Sequence, residues 1–297
     1  TGDRLGLARG ALVLAGGHRQ RGRHARALHE LDCALPHALA AAADRELANT
    51  LGTMGLSLWR GPAPADRAVA RCQELLAAHG TDRPAVHSTL GFPLAVLHAV
   101  RGRADLAAEG LAGTRQAMAA LAHAEGRAFG PLLEGMLAAL ADERDLAARA
   151  LTEALAAART LRAGPLVRSG ALELARVRLA DGDGAGAAAL LDGLAVPGEQ
   201  PSAAADWCGV CSRIHALRGE HPEALALARR AVRLAQRTDS PTDRGTAALD
   251  LAHARRAAGR PEQARAALLA ARRQFAAKGH LVAVGRTDRL LAAWSER

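Results

Sequence analysis

Alanine and leucine recur every three or four residues along most of the chain, in runs long enough for amphipathic helices. Short polar turns interrupt these runs at a nearly constant interval. The turns are anchored at Gly22, Pro62, Gly102, Asp142, Gly182, Gly219 and Gly259, so the steps are 40, 40, 40, 40, 37 and 40 residues. Because glycine and aspartate suit the tight turn that ends a helix, each anchor is predicted to join two helices.

A second set of breaks separates these helix pairs from one another. The breaks fall at Pro36, 80–84, 123–126, 164–165, 197–202 and 240–243. They divide a single domain, 1–297, into units over about 3–41, 43–80, 84–122, 124–162, 164–196, 201–238 and 241–278, followed by a capping helix over 281–294. Since one pair cannot bury its apolar face alone, the pattern predicts an all-α superhelix, a solenoid of about seven stacked pairs.

The composition agrees with a helical chain and argues against most other fold classes. Aromatic residues make up 2% of the 297 residues, tyrosine is absent, and Ile214 is the only isoleucine. Strands favour β-branched and aromatic residues, whereas helices favour alanine and leucine, so a sandwich, a barrel or a doubly wound sheet is disfavoured. No uncharged apolar run reaches about 18 residues, so we expect no membrane-spanning segment.

The alternation of small and large residues in these units resembles the tetratricopeptide repeat (TPR). In unit seven the family's conserved positions are filled by Leu251, Ala252, Gly259, Ala264 and Ala271. In unit one the same positions are filled by Leu14, Ala15, Gly22, Ala27 and Ala34. Small residues at these positions let neighbouring helices approach closely. The chain departs from the family in its period, which is about 40 rather than 34 residues.

The longer period and the end of the chain are similar to helical arrays at the C-terminal end of large actinobacterial signalling and transcription regulators. The similar segments are 259–268, 275–279 and 289–291. In such regulators an ATPase domain precedes the array, and this chain has no phosphate-binding Gly-Lys-Ser/Thr loop. The resemblance implies a fragment that serves as a non-catalytic scaffold or sensor without a cofactor. The implied partner is a protein, a peptide or a small-molecule effector.

The charge of the chain changes this picture little. There are 39 basic and 30 acidic residues, a net charge of +9, and Lys278 is the only lysine. Because the arginines are scattered over nearly every helix and aromatics are few, nucleic-acid binding by this chain alone is disfavoured but stays an alternative. Four cysteines do not form a disulfide framework in so long a chain, and residues 1–10 contain no apolar leader. We therefore expect a cytoplasmic protein.

One motif suggests chemistry. Residues 207–211 read Trp-Cys-Gly-Val-Cys, similar to the redox motif of thioredoxins, but no strand-forming residues precede it. Cys208, Cys211 and His215 also lie on one helical face, where they could hold zinc with a fourth ligand such as His221. The repeat pattern instead places these side chains at packing positions. A metal- or redox-active protein centred on Cys208 and Cys211 is therefore the alternative to a binding scaffold.

The repeat family binds its ligands on the concave face, so its positions can be carried over to this chain. They place apolar side chains at the middle of that face: Trp59, Phe92, Val96, Phe129, Leu132, Met136 and Leu172. Basic side chains follow toward the two ends: Arg9, Arg19, Arg176, Arg213, His253 and Arg256. Such a groove would suit a peptide with a hydrophobic centre and acidic flanks, or an amphipathic small molecule. In the other interpretation these residues pack between helices and leave no open groove.

Overall fold

The computed structural model describes residues 2–121, 126–194, 198 and 200–295. Within these residues the chain forms fifteen α-helices and no strand. Their bounds are α1 Arg4–Gln20, α2 His24–Ala40, α3 Asp44–Arg60, α4 Ala65–His79, α5 Pro84–Val100, α6 Ala104–Ala120, α7 Gly126–Ala141, α8 Arg144–Thr160, α9 Gly164–Ala180, α10 Gly184–Leu191, α11 Pro201–Leu217, α12 His221–Gln236, α13 Pro241–Ala257, α14 Pro261–Lys278 and α15 Leu281–Ser295. The structure thus has the all-α superhelical architecture expected from the sequence.

The turns within the helix pairs explain the regular spacing. Six of the seven anchor residues have a positive φ, between 67° and 80°, and five of these six are glycine. Glycine adopts this left-handed conformation without strain, so it ends one helix and lets the next begin two residues after the glycine. At the first anchor, the amides of Gly22 and Arg23 donate to the carbonyls of Arg19 and His18, which satisfies the end of α1. Pro62 is the exception, because its ring holds φ negative.

The breaks between the pairs follow the sequence less closely. The break expected at Pro36 is wrong, because α2 continues through this proline to Ala40. The chain turns instead at Ala42, which has a φ of 48° although alanine has no intrinsic preference for that conformation. Residues 123–125, within one expected break, lie outside the described residues, as do 195–197 and 199 at another.

The odd-numbered helices form the inner layer of the array. They pack on one another from pair to pair as well as on the even-numbered helices, which lie on the outside. The core between the layers consists mainly of alanine and leucine, such as Ala27, Leu31, Leu51 and Leu151, each with no exposed surface. α15 packs on α14 and adds Leu290 and Trp294 to the last apolar cluster. We call the surface that the odd-numbered helices turn toward the superhelix axis the interior.

The superhelix completes a full turn, so its last units touch its first. α13 contacts α3, and α15 contacts α5. The turn before α13 also meets the turn between α1 and α2, where the amide of Asp239 donates to the carbonyl of Gly22 over 2.9 Å. These contacts join the last units of the array to the first. No helix in the described part of the chain is long and apolar enough to cross a membrane.

Candidate binding site in the interior

One repeat position distinguishes the earlier units from the later ones. It lies six residues before the turn of each unit and is occupied by Val96, Met136, Arg176, Arg213 and His253 in units three to seven. The side chain at this position is therefore apolar in units three and four and basic in units five to seven. The structure accordingly divides the predicted site residues between two regions, which we call the aromatic row and the ionic cluster.

The aromatic row consists of Trp59, Phe92 and Phe129, one ring from each of α3, α5 and α7. Adjacent ring centroids are 6.0 Å and 6.2 Å apart, and the second pair is edge to face. Phe92 is buried, with 9% of its surface exposed, whereas Trp59 and Phe129 are half-buried. The guanidinium of Arg60 lies 5.2 Å from the centroid of the Trp59 ring.

Some of the predicted apolar residues pack between helices, and others keep a surface that a ligand could contact. Val96 keeps 1% of its surface exposed and belongs, with Phe92, to the buried core. Leu132 and Leu172, at 5% and 4%, are also core residues. Met136 is half-buried, like the two outer rings. The apolar surface that a ligand could reach therefore consists of Trp59, Phe129 and Met136, supported from below by Phe92.

The ionic cluster lies on α9, α11 and α13. Arg176 donates to the carboxylates of Asp206 and Asp250, with its Nη1 and Nη2 at 3.3 Å and 3.2 Å from the Asp250 oxygens. Arg213 lies 3.8 Å from Asp250. The side chain of Asp250 is 1% exposed, whereas those of Arg176, Arg213 and Asp206 are 23%, 19% and 34% exposed. Water, or a ligand, can therefore reach the two arginines but not the carboxylate that holds them.

Gly209 makes this arrangement possible. A Cβ atom at this position would collide with the Asp250 carboxylate and would lie 3.4 Å from a nitrogen of Arg176. Packing therefore explains the central glycine of the Trp-Cys-Gly-Val-Cys motif, because the absence of a side chain lets Asp250 of α13 lie against α11. The resemblance of this segment to a redox motif has a structural explanation that needs no redox chemistry.

Two further titratable groups face the same region. Enclosure in the protein raises the pKa of Glu173, and the neighbouring Asp206 adds to this effect, whereas Arg176 and Arg60 oppose it. Burial lowers the pKa of His253 to about 3, with further contributions from Arg213 and Arg176. His253 is therefore neutral at pH 7, so the ionic cluster holds two arginines, two aspartates and one carboxyl group shifted toward its neutral form.

The ionic cluster is not the basic end of the groove that the sequence predicts. Asp206 and Asp250 neutralise Arg176 and Arg213, and sequence reasoning missed both carboxylates because most acidic residues of the chain flank turns. A signal was nevertheless present, since Asp250 interrupts the apolar positions of α13 between Ala247 and Ala254. A charged residue at a core position indicates a buried partner of opposite charge.

The remaining predicted basic residues lie away from the cluster. Arg256 lies 5.7 Å from the ring of Trp294, which in turn contacts the ring of His253 at 5.3 Å. A cavity of about 520 Å³ at this C-terminal end is lined by Arg256, Pro261, Glu262, Arg265, Leu268, Leu291 and Trp294. Arg9 pairs with Glu46, and Arg19 lies near Arg60, which together with burial lowers the pKa of Arg19.

The cysteine motif lies inside α11 and has no reactive geometry. Burial raises the pKa of Cys208 and raises that of Cys211 to about 11, whereas a redox-active thiol needs a lowered value. The ring of His215 pairs with Glu220 rather than with the thiols. Within the described residues no group of three or more histidine, cysteine, aspartate or glutamate side chains could hold a metal ion.

Comparisons with known proteins place the chain by its fold. No family profile matches the sequence, and no curated protein is similar to it. Among solved structures it is similar to a Rap protein complexed with Competence and Sporulation Factor, with a TM-score of 0.55 and 12% sequence identity. The match covers 90% of this chain and 79% of the Rap chain. At this identity the likeness shows the fold alone, and that fold is a TPR-like helical array.

Proposed function

We propose that this chain is a non-catalytic binding module that takes a peptide, or an exposed segment of a protein, into its interior. We further propose that it is the regulatory part of a bacterial signalling or transcription regulator. What supports binding is the accessible side of the aromatic row on the same inner layer of helices as the ionic cluster. The Rap structure supports it by analogy, because that similar array is complexed with Competence and Sporulation Factor.

The chemistry of the interior favours a peptide over a compact small molecule. Three rings spaced about 6 Å apart offer a row of contacts along α3, α5 and α7, which matches the side chains of an extended chain. Arg176 and Arg213 keep about a fifth of their side chains exposed and can donate to backbone carbonyls or a carboxylate. A ligand that uses both regions must be long, partly apolar and rich in hydrogen-bonding groups.

A regulatory role follows from binding without chemistry. The arginines and aspartates of the interior hold one another in ion pairs, and the thiols are held in their protonated form. Such a site is suited to report the presence of a partner. The similarity of the repeat period and of the chain end to arrays of actinobacterial regulators suggests that the partner's signal passes to an ATPase or effector domain.

The test uses linear peptides selected from a random display library against the intact chain. The affinity of each selected peptide is then measured for the wild-type protein and for the interior variants Trp59→Ala and Arg213→Met. The control is Arg178→Met, two residues after Arg176 on α9 and so on the opposite face of that helix. Arg178 is half-exposed and pairs with Asp183 at the turn after α9, so its replacement is expected to leave the interior unchanged. We expect Trp59→Ala to weaken binding about tenfold or more, since aromatic anchors dominate peptide interfaces. Selected peptides that bind all four proteins equally, or a failure to select any, would contradict the proposal.

A further inference from the structure

The end of the chain closes the superhelix with polar contacts to helix ends. Lys278 is 1% exposed, and its Nζ donates to the carbonyls of Leu58, Gly61 and Ala63 over 2.8, 2.9 and 2.7 Å. These carbonyls lie at the end of α3 and in the turn that follows it. A cation is favourable there because the carboxyl end of a helix carries partial negative charge.

Two more side chains reach the carboxyl ends of the next inner helices, a histidine that is neutral at pH 7 and an arginine. The ring of His280 lies beside the backbone of Val100 at the end of α5. Arg286 donates through Nη2 to the carbonyls of Ala139 and Leu140 at the end of α7, the latter over 2.9 Å. Three successive inner helices are therefore held at their carboxyl ends by one segment, 278–286.

An acidic residue makes the complementary contact at the other side. Asp239 accepts from the backbone amides of His24 and Ala25, over 3.0 Å and 2.8 Å, at the amino end of α2. A carboxylate is favourable at that end of a helix. We call this set of contacts the seam: Asp239, Lys278, His280 and Arg286 against the ends of α2, α3, α5 and α7.

The closed seam also buries groups that water would solvate better. His24 is 5% exposed, and neither of its ring nitrogens has a hydrogen-bond partner among the described residues. The fully buried hydroxyl of Ser57, near the same end of α3, lacks a partner as well. Burial lowers the pKa of Lys278 to about 8, so its ammonium is less stable here than in water. Opening the seam would return the Lys278 ammonium to solvent and remove the contacts of Asp239 beside His24.

The seam differs in this respect from the interfaces between successive units. Those interfaces are apolar, and separating them would expose alanine and leucine side chains to water. The seam consists of hydrogen bonds and ion–dipole contacts, which water replaces at a much smaller loss of free energy. Opening the polar contacts of the seam therefore exposes less apolar surface than separating two successive units would.

We propose that the seam is a gate, and that its opening widens the superhelix and admits the ligand to the interior. This inference rests on the proposed function, because it concerns access to the same site. The closed state protects the aromatic row and excludes folded partners, whereas the open state accepts a long segment from the side. A partner that separates segment 278–286 from the ends of α3, α5 and α7 would thereby control binding.

The test compares a release variant, Lys278→Met/Arg286→Met, with Arg289→Met, which makes the same change at an exposed position of α15. Small-angle scattering reports the dimensions of the array, and circular dichroism reports whether each protein is folded. Quenching of Trp59 fluorescence by acrylamide reports access to the interior, measured with Trp207→Phe and Trp294→Phe in every protein. None of these measurements needs a ligand, so they are independent of whether the proposed peptide is found.

We expect the release variant to remain helical, to show a larger radius of gyration, and to quench severalfold faster at Trp59, with the control unchanged. Faster alkylation of Cys72, which is fully buried beside Lys278, is expected as a second sign of opening. If scattering shows no expansion, the seam does not hold the ring closed. If the array expands but Trp59 is quenched at the wild-type rate, the seam is not the gate. A release variant that does not fold would also contradict the inference, and Arg286→Met alone then checks that result.

Discussion

Units three and four differ from units five to seven at one repeat position, six residues before the turn. The side chain there is Val96 or Met136 in the earlier units, and Arg176, Arg213 or His253 in the later ones. The backbone is a helix in all five units, so the fold does not dictate the chemistry of this position. What varies is the face offered to the interior, and function is expected to lie where the fold permits such variation.

The two regions are also stabilised in different ways. The aromatic row is stabilised by burial of apolar surface, which requires only that the surrounding side chains fit the rings in shape. The ionic cluster needs a matched set, because each arginine brought into the interior requires a carboxylate and each carboxylate requires space. Asp250 supplies the charge and Gly209 supplies the space. The later units are therefore more sensitive to single substitutions than the earlier ones.

The largest effect is expected from Asp250→Ala. This change removes the carboxylate, itself 1% exposed, that Arg213 and Arg176 share, and leaves Arg176 with Asp206. We expect a loss of about 3 kcal/mol in the free energy of unfolding, measured by urea denaturation. The control is Asp288→Ala, which removes an exposed ion pair with Arg272 and should change stability by less than about 1 kcal/mol. Equal effects of the two changes would show that the cluster is not a matched set.

A smaller loss is expected from Gly209→Ala. The added methyl group meets the Asp250 carboxylate, so α11 and α13 must separate or Asp250 must leave Arg176. We expect a destabilisation of about 1–3 kcal/mol, seen as a lower thermal midpoint. Gly10→Ala is the matched control, because nothing lies within 4 Å of its added Cβ on α1. That change should be neutral or stabilising, by up to about 1 kcal/mol, and a stabilised Gly209→Ala protein would contradict the packing argument.

The smallest effect concerns pH and extends the comparison to the seam. Burial lowers the pKa of both His24 and His280 to about 4, whereas an unfolded histidine titrates near 6.5. Between these values the unfolded chain binds more protons, so stability falls as pH falls from about 6.5 to about 4. Each histidine contributes a slope of up to about 1.4 kcal/mol per pH unit.

The measurement is urea unfolding at several pH values for wild type and His280→Gln, with the exposed His29→Gln as control. We expect His280→Gln to flatten the acid slope and His29→Gln to leave it as it is. An unchanged slope in His280→Gln would mean that burial does not lower the pKa of this ring in the folded protein.

The fold could be predicted from the sequence because its signals are local. A turn every 40 residues and helical spacing of alanine and leucine are visible without any contact between distant residues. Where local signals were weak, prediction failed, as at Pro36, which stays inside α2, and at Ala42, where an alanine makes the turn. Tertiary packing decides such positions rather than the preference of a single residue.

The site could be predicted only in part, because its geometry depends on the pitch of the superhelix. The positions of Trp59, Phe92 and Phe129 follow from the repeat, and the structure brings them together. The partnership of Arg176 with Asp250 spans 74 residues, and that of Lys278 with Leu58 spans 220 residues. Such contacts depend on the small rotation between each unit and the next, added over several units. The sequence of a single chain does not reveal this total rotation.

The central claim is that a ligand occupies the interior against the aromatic row. The most direct measurement is a titration of Trp59 fluorescence with a selected peptide, in protein carrying Trp207→Phe and Trp294→Phe. Our account predicts a saturable change in emission, protection of Trp59 from acrylamide, and loss of both in Arg213→Met at the same peptide concentration. A peptide that binds tightly by calorimetry while Trp59 emission and quenching stay unchanged would place the ligand elsewhere and contradict the account.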